Sequence, residues 1–110
     1  MARYTFVVLT NPIEGQDSSF NDWYDNIHLG DVLSVPGIVS AQRFRACNKN
    51  GMAGCRYLAL YEIESDDPRA TVADMRARGF PVSDAMDRST VSAVLFESVA
   101  EPVSAASVAR

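Results

Sequence analysis

The chain has 110 residues, 47% of them hydrophobic and 22% charged, with a formal net charge of −4. That length supports one domain, whose core hides roughly 65% of the surface the unfolded chain would expose. Scattered basic residues under a net negative charge exclude the basic stripe of a nucleic-acid partner, and no apolar run approaches the roughly 20 residues of a membrane span.

Met1-Ala2-Arg3-Tyr4 runs straight into an alternating apolar segment, without the three sections of a secretory leader. The expected location is therefore cytoplasmic. Cys47 and Cys55 flank one loop; in a reducing compartment they are expected as free thiols, and no further ligands accompany them to make a zinc site.

Arg3 to Thr10 is rich in β-branched and aromatic residues and apolar on both faces, which predicts a strand covered on both sides. Asn11-Pro12 stops it. Asp17-Ser18-Ser19 offers helix caps, with Ser19 and Asp22 resembling a capping box. Phe20, Trp23, Tyr24, Ile27 and His28 then fall on one stripe at spacings of three and four. Gly30 is expected to interrupt or end this helix before Val35-Pro36-Gly37.

Ile38 to Cys47 reads as a second strand with Arg43 and Arg45 on one face. The Asn48–Gly54 loop joins it in a hairpin to a third strand, Arg56 to Glu64. Asp67 followed by Pro68 marks the start of a second helix, whose stripe holds Val72 and Met75 and which Gly79 ends. Phe80 to Asp87 is irregular, Ser89 to Val99 is a fourth strand, and residues 102–110 form a tail beyond a domain spanning 1–101.

The order β-α-β-β-α-β predicts an α+β ferredoxin-like fold: a four-stranded antiparallel sheet with both helices on one face. Strands one, three and four remain apolar on the other face, and such a surface is not left in water. A second copy covers it most simply, so the chain is expected to form a homodimer, an α/β barrel of two sheets.

Phe20-Asn21-Asp22-Trp23-Tyr24-Asp25-Asn26-Ile27-His28-Leu29, followed by Asp31-Val32-Leu33-Ser34-Val35-Pro36-Gly37, resembles the first-helix signature of EthD-like proteins of the dimeric α/β-barrel superfamily. That signature is a Trp-Tyr pair, a His a few residues on, and a leucine-containing stretch ending in Pro-Gly. The resemblance covers about residues 3–45. One departure is Gly30, near where a proline is common. The resemblance implies a cavity between helix and sheet, lined by His28 and its aromatic neighbours, in a group that includes oxygenases, cyclases, lyases and isomerases working without metal or organic cofactor.

His28 is the only histidine, and its ordinary pKa near 6.5 suits it to general acid–base work. Tyr24 and Asp25 stand where either could orient the imidazole, completing a candidate catalytic set. The alternative is a histidine that caps a helix end. Candidate substrate-binding residues are Phe20, Trp23, Ile27 and Phe6 as apolar walls, Arg43 as an anion anchor, and Tyr57 and Tyr61 as hydroxyl donors; for the aromatics, ordinary core packing is the competing role. No phosphate loop, nucleophile elbow or dinucleotide fingerprint is present, and one histidine cannot supply a two-His metal motif.

The expected function is thus a small-molecule enzyme without metal or organic cofactor, acting by acid–base chemistry on an aromatic or polyketide-like substrate. The alternatives are a non-catalytic binding module for a small hydrophobic metabolite, and a structural dimer.

Overall fold

The structure, a computed structural model, describes residues 3–108; Met1-Ala2 and the last two residues of the tail lie outside them. Its elements are β1 (Tyr4–Thr10), α1 (Asp17–Trp23), a π turn (Tyr24–His28), α2 (Leu29–Leu33), β2 (Ile38–Arg45), β3 (Tyr57–Ile63), α3 (Pro68–Ala77) and β4 (Ser92–Glu97). The four strands form one antiparallel sheet in the order β2-β3-β1-β4. This is the α+β ferredoxin-like arrangement read from the sequence.

The sheet sorts its side chains by parity, because successive residues of a strand point to opposite faces. Phe6, Ala59, Tyr61 and Ile63 point toward the helices and are buried. They join Phe20, Trp23, Tyr24, Val32 and Val35 of the first helical segment and Val72 of α3 in one core. Val7, Leu60 and Val94 meet side by side on the other face. There Phe44, Val94 and Phe96 are exposed.

Asp67 caps α3 as its sequence predicts: the carboxylate accepts from the Ala70 N–H at 3.1 Å, and Pro68 occupies the first turn, where its missing N–H is harmless. Gly79 takes a positive φ of 59° just past the helix.

The first helix departs from expectation at both ends. It starts at Asp17, after Gln16 and without a side-chain cap, so Ser19 and Asp22 lie inside it and form no capping box. Gly30 does not end it. Trp23, Tyr24, His28 and Leu29 all keep right-handed helical angles, so α1, the π turn and α2 run on as one rod to Leu33. Gly30 sits exposed on that rod with open space where a Cβ would stand, and its local cost is absorbed by the buried residues around it.

The hairpin between β2 and β3 is held by its own turn and by a neighbour. Asn11 donates to the Gly54 carbonyl and accepts from the Arg56 N–H at 2.9 Å. Cys55 is buried and donates its thiol to the Thr90 carbonyl at 3.1 Å, while Cys47 is exposed; both are free thiols. Gly51 has φ +65°, and a Cβ there would collide with the Cys55 carbonyl. Left-handed strain of roughly 1–2 kcal/mol and overpacking of roughly 1–3 kcal/mol then add. Gly51→Ala is expected to destabilise the fold by about 2–5 kcal/mol in urea unfolding, and an unchanged midpoint would show that the loop relaxes freely.

Candidate functional site

A π turn inserts one extra residue into a helix, and its signature is an N–H bonded five residues back. Here the Leu29 N–H donates to the Tyr24 carbonyl. The extra residue changes which side chains share a face. Trp23 and His28, five apart, would diverge on a regular helix, yet their rings stack with centroids 4.6 Å apart and planes 26° apart. The same rotation turns Ile27 off the apolar stripe, and it is 51% exposed.

The π turn brings His28 over a cavity of about 340 Å³ between the first helix, the sheet and α3. Its walls are mostly apolar: Phe6 and Val8 from β1, Val32 from α2, Met75 from α3, and Phe80 and Val82 from the segment after Gly79. Tyr24, His28, Tyr61 and Arg76 bring the polar groups. This is the composition of a small-molecule site, apolar with a few convergent polar atoms.

The two tyrosine hydroxyls lie 3.1 Å apart. One hydrogen bond between them uses one proton, so the second proton remains free to be donated. Burial, the larger cause for both, pushes each phenol above its ordinary range, which keeps both protonated at neutral pH. Arg43 lies against the face of Tyr24, its guanidinium carbon 4.3 Å from the ring centroid. It donates to Asp25 at 2.7 Å and to Asn21 at 2.8 Å, fastening the first helix to β2.

His28 rests edge-on to Tyr24, with centroids 5.0 Å apart. Its Nδ1 is buried without a hydrogen-bond partner. Desolvation lowers its pKa below the ordinary 6.5; Asp31 opposes that effect and Arg43 reinforces it. The imidazole is therefore neutral at neutral pH and able to accept a proton.

Of the residues singled out from sequence, Tyr24, His28, Tyr61 and Phe6 meet at this cavity. Trp23 backs His28 instead of lining the space. Phe20 is fully buried among Trp23, Tyr24 and Tyr57, an ordinary core residue. Asp25 does not orient His28, because its carboxylate is committed to Arg43. Arg43 in turn is engaged by Asp25 and Asn21 and stacked under aromatic rings, so it presents no free fork to an anion. The Tyr57 hydroxyl donates to Asp17 at 3.1 Å, outside the cavity.

The walls from Met75 to Val82, and Arg76 among them, carry no motif. Met75 sits on the apolar stripe of α3, which is the one signal that pointed there; Phe80 and Val82 belong to a stretch whose irregularity hides its role.

No protein-family model and no curated protein sequence matches the chain. Solved structures do. A protein from Shewanella loihica PV-4, provisionally named a monooxygenase, superposes with a TM-score of 0.63 at 14% identity, covering 92% of this chain and 99% of its own. A dimeric ferredoxin-like protein of unknown function from Jannaschia sp. CCS1 gives 0.60 at 12% identity, over 87% of this chain and 99% of its own. An EthD (ethyl tert-butyl ether degradation) family protein from Bacillus halodurans C-125 gives 0.54 at 12% identity, over 90% and 100%. At these identities the likeness is one of fold: the chain shares the α+β ferredoxin-like fold of these structures, an EthD family protein among them.

Proposed function

We propose that the protein is a small-molecule enzyme that uses its own side chains, without metal or organic cofactor, for acid–base chemistry on an aromatic or polyketide-like substrate. One observation carries this reading: the only histidine of the chain, neutral and unpartnered at Nδ1, borders an apolar cavity beside a pair of tyrosine hydroxyls. A neutral imidazole nitrogen accepts a proton from a substrate O–H or acidified C–H. The electron pair stays on the substrate, and the free tyrosine proton hydrogen-bonds the oxygen where negative charge collects. The low-polarity walls strengthen both interactions by excluding water.

The open sheet face supports a homodimer as the working unit. It is apolar at its centre, where Val7, Leu60 and Val94 meet, with Thr5, Gln42 and Glu62 toward its edges, and a second copy of the same face would cover it. The test of the catalytic reading is turnover of a panel of phenols and aromatic aldehydes by wild type and His28→Ala. Loss of turnover in the variant supports it; equal turnover removes His28 from the mechanism. The non-catalytic reading, favoured only by the apolar walls, predicts ligand-induced thermal stabilisation that survives loss of His28.

A further inference from the structure

Beside the His28 cavity lies a second, larger space. A groove of about 740 Å³ runs between α3 and β4, and Phe6, Arg76 and Ala93 line both it and the cavity. Arg76 therefore stands at the junction. Its guanidinium carbon lies 5.9 Å from the Phe6 ring centroid. Among the described residues Arg43, Arg56 and Arg78 each hold an aspartate, whereas Arg76 has no carboxylate partner.

Away from the junction the groove carries both signs of charge: Asp66, Asp67, Arg69 and Glu97 line it with Tyr4, the residue paired with Glu97 across the sheet. Nine residues of helical rise, roughly 13 Å, separate Asp67 from Arg76 along α3. Asp67 is also occupied as the helix cap. A group at the junction thus meets the Arg76 guanidinium first.

Resting on the small-molecule reading above, we infer that Arg76 is the specificity-determining residue of this site: it selects an apolar, ring-bearing molecule whose short arm ends in a carboxylate. The ring fills the cavity beside His28, and the carboxylate takes the guanidinium fork at the cavity mouth. The arm must be short, because Arg76 lines the cavity itself. This is the anion anchor that sequence reasoning placed at Arg43, where Asp25 already fills it.

The test uses two probes of equal shape, naphthalene-2-carboxylate and the neutral naphthalene-2-methanol, titrated calorimetrically into the full chain. Wild type is expected to bind the carboxylate more tightly. Arg76→Gln, an exposed substitution that leaves the fold intact, is expected to weaken the carboxylate about tenfold and the alcohol less than twofold. Arg76→Lys, keeping the charge without the fork, falls between. Unchanged carboxylate affinity in Arg76→Gln, or equal weakening of both probes, overturns the assignment. Val82→Trp, which fills the cavity, separates the two levels. If it weakens both probes while Arg76→Gln does nothing, the cavity stands and Arg76 falls. If it weakens neither, or wild type binds neither probe at millimolar concentration, cavity and assignment fall together.

Discussion

Replacing His28 with Ala or Gln is expected to lower turnover about 10²–10⁴-fold, the contribution of a positioned general base, while leaving the fold in place. His28 is half-buried at the cavity edge, so its loss removes one stacking partner of Trp23 and no core layer. Gln separates shape from chemistry: it fills similar space and cannot accept a proton usefully at neutral pH. The pH dependence follows from burial. Desolvation lowers the pKa of His28 below its ordinary 6.5, so kcat/KM is expected to rise with pH through a midpoint below 6.5 and to be flat by neutrality. Stability moves the same way. Between 6.5 and the lower folded value, the unfolded chain binds a proton that the folded chain does not, so stability falls as pH drops through that window. A midpoint at or above 6.5 would contradict a desolvated base.

The second large effect concerns the open sheet face. Leu60 lies on β3, opposite Val7 and Gln42, pointing away from the helices. A carboxylate there is expected to break a two-sheet dimer, since a buried anchor carries about 2 kcal/mol or more and an uncompensated charge at an interface core adds to it. Leu60→Asp should therefore weaken association at least about thirtyfold and give a monomer mass by light scattering at micromolar concentration, with an unchanged far-UV spectrum because the helix-side core is untouched. A wild-type monomer mass under the same conditions would refute the dimer itself.

The sequence made the fold legible because its local signals agree. Asp67-Pro68 and Gly79 bracket α3, the strands announce themselves by β-branched and aromatic runs, and the hairpin loop carries residues that tolerate positive φ. The site was legible only at its first helix. A π turn has no local sequence signature, since it is decided by tertiary packing, so the stripe drawn at regular helical spacing included Ile27 and paired Asp25 with His28. The structure puts Ile27 in solvent and gives Asp25 to Arg43, a residue on a strand 18 positions away. Long-range ion pairs of this kind depend on register, and register is set by the whole sheet. The far wall, from Met75 through Val82, was hidden for the same reason: only the docking of α3 over the sheet makes those residues face His28.

The His28 cavity is the centre of the account, and density for a bound aromatic tests it most directly. A crystal of the protein soaked with naphthalene-2-carboxylate should show the ring enclosed by Phe6, Tyr24, His28, Tyr61 and Phe80, with its carboxylate on the Arg76 guanidinium. Density on the Leu60 face instead, or a cavity closed by its own side chains with no ligand admitted, would contradict it.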